Sequence, residues 1–402
     1  MTSYREALDF LFPRTTQIKF GLDTTRALVA ALGSPQEQFP TIHVAGTNGK
    51  GSVSALIASA LRQAGLRVGL YTSPHLISYR ERIRVDDVPI SEAAVAAWTA
   101  HLKPTIEAQQ ATFFETTTAI AFAHFAARQV DIAVIEVGLG GRLDSTNVIT
   151  PLVSVVTHIA LDHQKYLGDT VEEIAQEKAG IAKAGVPFVV GEDDPVLAEV
   201  LVRAAVGAHH VVVPATASWT GHLGLVGPHQ RRNAAVAEVA LELLPDRLRP
   251  SDAATATAFS RLQVPGRFDR RGKWLFDVAH NPDSMRALTV ALGEAKLPGP
   301  IHALVSILGD KEWPEMLVEL DRAIDFGILT VAPSADTRKW DLSWLERWLD
   351  APERPVARAR WRLIPDFGAA LREVQAGAGT VLVTGSFHTV GDVMAELGLE
   401  VA

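Results

Sequence analysis

Along the chain, short apolar runs rich in β-branched residues alternate with longer stretches whose apolar positions recur every three or four residues. The short runs read as buried strands and the 3.6-residue period as amphipathic helices, so the pattern predicts an α/β fold with helices packed on a mostly parallel sheet. Strands are expected at 41–45, 67–72, 131–137, 152–157, 186–190 and 211–213. A second group, at 273–278, 301–307, 327–331 and 380–384, follows a polar passage containing proline. Pro265 and Gly266, just ahead of that group, set a domain boundary near residue 266, with a larger unit 1–265 and a smaller one 266–402. The alanine-rich tracts 93–100, 119–127 and 234–240 read as helices and carry no functional message.

With 402 residues, 48% of them hydrophobic, the chain can bury sizeable cores in two or three units. No apolar run approaches a membrane span, and the opening MTSYREALDFLFPR has acidic residues and no cleavable hydrophobic segment, so a cytoplasmic protein without membrane partners is expected. A net charge of −8 without a long basic stripe argues against nucleic acid as a partner. The absence of cysteine excludes disulfides and thiolate metal sites, which leaves oxygen and imidazole ligands and favours hard ions such as magnesium.

Chemistry concentrates where strands end. Thr41–Ser52, TIHVAGTNGKGS, reads as a strand running into a phosphate-cradling loop and a helix on which Val53, Leu56, Ile57, Ala60 and Leu61 share one face. Gly46, Gly49 and Gly51 can turn successive N–H groups towards one anion, Lys50 adds a point charge, and a nucleotide triphosphate is the expected ligand. The general P-loop pattern is not met in full: Val44 occupies its first glycine position and Gly51 separates Lys50 from Ser52. A glycine-rich turn with a surface lysine is the plainer alternative. Glu136, at the end of the apolar strand 131–137, must be paired or bound to a cation to offset lost solvation; a metal ligand and a structural acid capping Arg142 both fit. His158 and His163 follow the strand 152–157. His163, after Asp162 in a loop, is the better ligand candidate, while His158 is equally readable as a satisfied core residue. Thr170 and Glu173 form a capping-box pattern opening a helix that closes on Gly180. Lys178, near that helix end, reads either as a solvated charge complementing the dipole or as an amine whose pKa, lowered by burial, lets it take up carbon dioxide and bridge metals.

These segments, with Thr72–Leu76 (TSPHL), Glu81–Ile83 (ERI), Phe114-Glu115, Glu136–Asp144 (EVGLGGRLD), Leu161–His163 (LDH), Glu177–Ile181 (EKAGI) and Asp277–Pro282 (DVAHNP), resemble the folylpolyglutamate synthase and dihydrofolate synthase family in order and spacing, from about residue 15 to 395. The wider relatives, the Mur ligases, share the loop and reaction type without the Ser-Pro-His-Leu or Asp-Val-Ala-His-Asn-Pro wording. The resemblance implies a P-loop-type ATPase domain, a smaller Rossmann-like α/β domain, and an ATP-dependent amide ligase, expected to be a monomer, that joins L-glutamate to dihydropteroate or to a folate tail through an acyl phosphate. It implies that Gly49, Lys50, Gly51 and Ser52 hold the phosphates. Ser73, Glu136 and His163 would ligate magnesium, with carbamylated Lys178 serving a second ion. Asn233, Arg267 and Asp277 would contact ATP, and His280 and Asn281 the phosphate or intermediate, although the latter pair also fits a helix-capping loop. Thr112, Phe113, Phe114, Glu115, Leu143, Asp144 and Ser145 would line a pterin pocket, with Phe114 stacking and Asp144 accepting hydrogen bonds. Lys50, Lys178 and His280 are the expected catalytic groups. A Mur-type ligase acting on a nucleotide sugar, and a P-loop ATPase without glutamate dependence, are the competing readings.

Overall fold

A computed structural model describes residues 3–15, 19–351 and 359–401. The chain forms two compact units, the first containing residues up to 223 and 232–262, the second 224–231 and 263–401. Residues 224–231, expected in the first unit, thus belong with the second.

The first unit is built on an eight-stranded sheet: β1 (Thr41–Ala45), β2 (Val68–Tyr71), β3 (Ile83–Val85), β4 (Val88–Pro89), β5 (Ile132–Glu136), β6 (Val153–Val156), β7 (Pro187–Val190) and β8 (His209–Val212), in the order β4-β3-β2-β5-β1-β6-β7-β8. Strands β2, β5, β1, β6, β7 and β8 are parallel, and β3 and β4 add an antiparallel edge. β1, β5 and β6 are buried along their whole length, as expected of central parallel strands covered on both faces. The register sets Glu136 beside Val44 and Val156 beside Ala45, so the carboxyl ends of the parallel strands share one edge, where ligands of such sheets bind. The helix Lys50–Gln63 buries Val53, Leu56, Ile57, Ala60 and Leu61, the face read from the sequence.

The second unit has a six-stranded sheet: β9 (Asp269–Arg271), β10 (Trp274–Phe276), β11 (Ile301–Val305), β12 (Phe326–Leu329), β13 (Arg360–Leu363) and β14 (Thr380–Thr384), in the order β13-β12-β11-β14-β10-β9, with only β9 antiparallel. The strands β3, β4, β9 and β13 were not legible in the sequence, because arginines or a tight turn interrupt their apolar pattern. No helix among the described residues is long and apolar enough to cross a membrane.

Candidate active site

The loop after β1 is closely packed against its surroundings. Gly46 and Gly49 have φ of +148° and +88°, and a Cβ at either would collide, 1.9 Å from Thr157 Oγ1 and 2.6 Å from Asn233 Oδ1 respectively. Both positions therefore require glycine. The Thr157 hydroxyl donates to Asn48 O at 2.6 Å, Thr47 N–H to His158 O at 2.6 Å, and Ala160 N–H to Thr47 Oγ1 at 3.1 Å, which fixes the loop against the end of β6. Lys50 Nζ donates to the carbonyls of Gly46 and Thr47, each at 3.0 Å. Ser52 is buried in the first helical turn.

Lys178, near the end of the helix Val171–Ala179, is 5% exposed and donates to that same Gly46 carbonyl at 2.9 Å. It is therefore not a solvated charge at a helix terminus. Burial, reinforced by the positive charge of Lys50, lowers its pKa to about 7, with Asp162 and Asp144 acting in the opposite direction.

Glu136 is 3% exposed and accepts from Ser73 N–H at 3.0 Å. Arg142 does not neutralise it; that guanidinium pairs with Glu177 at 2.7 Å. A carboxylate and a hydroxyl-bearing residue joined at a strand end suit a hard divalent cation. His163 has φ of +54° and its Nε2 lies 3.9 Å from Asp162 Oδ1. His158 is not a core residue: its Nδ1 sits 3.2 Å from Glu192 Oε2 and 3.9 Å from Asp193 Oδ1. Sequence reasoning missed Glu192, which accepts from the N–H groups of Ile159, Asp193 and Asp194 at 2.6, 2.9 and 2.9 Å and so holds the segment that supports Thr47. Its position immediately after β7, at the same sheet edge, was the available signal. Burial raises its pKa, but the nearby His158 and the N–H groups of Asp194 and Ile159 outweigh it and keep the value below the ordinary one.

The expected pterin pocket divides into ring and frame. Thr112 and Glu115 form a reciprocal capping box, with Thr112 N–H donating to Glu115 Oε2 at 2.8 Å and Glu115 N–H to Thr112 Oγ1 at 3.2 Å. Phe113 is buried against Tyr79, centroids 5.8 Å apart. Phe114 is half-buried and lies on Gly138, where a Cβ would come 2.3 Å from its Cζ. Leu143 is half-buried and Ser145 buried. Asp144 receives the N–H groups of Gly138 and Leu139 on Oδ2 at 3.1 and 2.9 Å, and the N–H and hydroxyl of Thr146 on Oδ1. These four donors fill a carboxylate's acceptor sites. Asp144, expected to accept hydrogen bonds from a pterin, thus also clasps the loop that carries it. Behind it, His43 in β1 lies 2.8 Å from Thr146 Oγ1, so one hydrogen-bonded chain joins the strand of the phosphate loop to the loop under Phe114.

In the second unit, Asp277 follows β10 and accepts from Phe268 N–H at 2.9 Å and Ala279 N–H at 3.0 Å. Burial raises its pKa against the influence of Arg267 and these hydrogen bonds. Arg267 lies over Phe387, 5.4 Å from the ring centroid, and His280 packs on the same ring at 5.7 Å. His280 Nδ1 is 2.9 Å from Val278 O. Asn281 caps the helix Pro282–Glu294 by accepting from Ser284 N–H at 2.8 Å, as the capping alternative anticipated. Arg267, Asp277, His280 and Asn281 thus gather at one end of the second sheet, whereas Asn233 belongs to the first unit beside Gly49.

The Mur ligase middle domain matches residues 44–217, and the Mur ligase, glutamate ligase domain matches residues 260–387. The chain is 33% identical to a dihydrofolate synthase/folylpolyglutamate synthase of Bacillus subtilis over 98% of this chain and 99% of that one. It superposes on Escherichia coli FolC in complex with DHPP and ADP with a TM-score of 0.84 at 32% identity, covering 98% of both chains. A bifunctional folylpolyglutamate synthase/dihydrofolate synthase with Mn, AMPPNP and L-glutamate bound gives 0.83 at 30% identity and 99% coverage of each. The chain belongs to the dihydrofolate synthase/folylpolyglutamate synthase family of ATP-dependent ligases, within the wider group of Mur ligases.

Proposed function

We propose that this protein joins L-glutamate to dihydropteroate, or to the glutamate tail of a reduced folate, at the expense of ATP. The observation that carries the reading is the meeting of Lys50 and Lys178 on the Gly46 carbonyl, in a loop whose glycines leave no room for a side chain. Lys50 brings a positive charge to this loop and Lys178, once carbamylated, would bring oxygen ligands for a cation, a pairing that suits the transfer of a phosphoryl group between anions. The acceptor carboxylate attacks the γ-phosphorus, the bond to the β-phosphate oxygen breaks, and an acyl phosphate and ADP result. The glutamate amine then attacks the acyl carbon, loses a proton and expels inorganic phosphate.

Ser73, Glu136 and His163 would hold magnesium, and Lys178, carbamylated, a second ion. These cations would supply charge compensation for the approach of the two anions. Around them the chain's own residues orient the reactants. Lys50 holds phosphate oxygens, the Asp144 clasp sets the loop under Phe114, and Phe114 offers a face to a flat ring. The relatives described above support a pteroate or folate acceptor over a nucleotide sugar. A monomer working in the cytoplasm completes the proposal. The test is ATP turnover with dihydropteroate, tetrahydrofolate or a nucleotide-sugar peptide, each with and without glutamate. ADP release that needs glutamate and one of the first two acceptors is expected; release independent of glutamate refutes it.

A further inference from the structure

Arg82 is a buried cation to which none of the roles above gives a purpose. It ends the short turn Tyr79–Arg82, capped reciprocally by Ser78 and Glu81, and its carbonyl accepts from Thr72 N–H at 3.0 Å, which holds it near Ser73. The residue is only 8% exposed. Its guanidinium carbon stands 5.2 Å from the centroid of the Phe113 ring, and its Nε donates to His75 Nδ1 at 2.7 Å.

Among the described residues the two terminal nitrogens of Arg82 donate to nothing, and no carboxylate oxygen lies within the 4.0 Å of an ion pair. The neighbouring acids are committed elsewhere. Glu81 receives the N–H groups of Leu76, Ile77 and Ser78 at 2.8, 2.9 and 2.5 Å, and Glu136 that of Ser73. Neither terminal nitrogen is sealed from solvent. A guanidinium stripped of most of its water, with one neutral hydrogen bond and one aromatic face, is poorly compensated, and its planar fork matches a carboxylate or phosphate edge. It is also aptly placed. Tyr71, at the end of β2, lies 6.0 Å ring to ring from Phe114; Arg82 immediately precedes Ile83, which pairs with Tyr71 on one side of β2, and Glu136 follows Ile135, which pairs with Tyr71 on the other.

We infer that the terminal nitrogens of Arg82 hold the reacting carboxylate of the acceptor, and afterwards the acyl phosphate oxygens, while the aromatic part of the acceptor lies against Phe114. This inference rests on the ligase reading given above. It makes Arg82 a substrate-binding residue that selects acceptors ending in an acid.

The experiment compares binding of dihydropteroate and of its primary carboxamide to the full-length wild-type, Arg82→Met and Arg82→Lys proteins, with KM for ATP measured in parallel. Loss of a charge-assisted hydrogen-bonded pair corresponds to about 10- to 100-fold in affinity. Arg82→Met should lose that much for the acid, bind the carboxamide as the wild type does, and keep KM for ATP within about twofold. Arg82→Lys should retain part of the preference for the acid. Equal losses for acid and carboxamide in Arg82→Met, or unchanged acid binding, would overturn the inference. If Arg82→Met does not fold, a Lys variant without any preference for the acid overturns it equally. Wild-type protein that binds neither compound and turns over ATP without them would instead remove the ligase reading itself.

Discussion

Lys178 offers a quantitative test of how the site is charged. Its buried amine, facing the charge of Lys50, has a pKa lowered from 10.5 to about 7. At pH 8 about nine-tenths of it is neutral, against about 0.3% for an ordinary lysine, so the nucleophilic form is enriched about 300-fold. Attack of the neutral Nζ on carbon dioxide forms an N–C bond and releases a proton, and the resulting carbamate turns repulsion from Lys50 into attraction. The wild-type protein in 13C-bicarbonate should therefore show one carbamate resonance by NMR that grows as pH rises through about 7, and turnover should fall in buffer stripped of carbon dioxide. Lys178→Ala should lack the resonance and lose at least about 100-fold in turnover, with partial rescue by acetate. The same shift gives stability a direction. The unfolded chain keeps this proton up to about pH 10.5 and the folded one only to about 7, so in that window the unfolded state binds more protons and stability rises with pH by up to a few kcal/mol. Full wild-type activity with no carbamate signal in saturating bicarbonate at pH 8 would refute the reasoning.

Three further outcomes follow from other contacts. In Gly138→Ala the new Cβ would meet the Phe114 ring at 2.3 Å and displace it, so KM for the acceptor should rise at least about tenfold while KM for ATP stays near wild type; equal shifts in both would contradict a local pocket. Glu192→Gln removes an acceptor from backbone donors that brace the segment behind Thr47, so unfolding in urea should show a loss of about 1–3 kcal/mol at pH 7. Because the folded pKa of Glu192 lies below 4.5, that stabilisation is present above this pH and fades as acid carries the protein below it; a pH-independent difference would argue against the ionised carboxylate. Chelation of divalent ions should abolish glutamate-dependent turnover and magnesium or manganese should restore it, while Glu136→Gln should raise the metal concentration needed for half-maximal turnover; turnover unaffected by chelator would exclude the metal reading.

Much of this protein was legible in its sequence because the informative signals are local. The apolar runs of β1, β5, β6, β11 and β14, the one-sided helix 50–63, the capping box at Thr170 and the glycines around Lys50 each depend on residues a few positions apart. What spacing could not reveal was convergence over long chain separations. Lys178 meets Gly46 across 132 positions, and His43 meets Thr146 across 103. Read singly, Lys178 was as easily a solvated charge, His158 a core residue and Asp144 a ligand-facing acid. Tertiary structure fixed their burial and hydrogen-bond partners, because these are set by what the sheet register brings alongside. A lysine becomes reactive only when water is excluded from it, a carboxylate becomes a clasp only when backbone donors fill its lone pairs, and an arginine such as Arg82 acquires a purpose only when the acids nearest to it are already engaged.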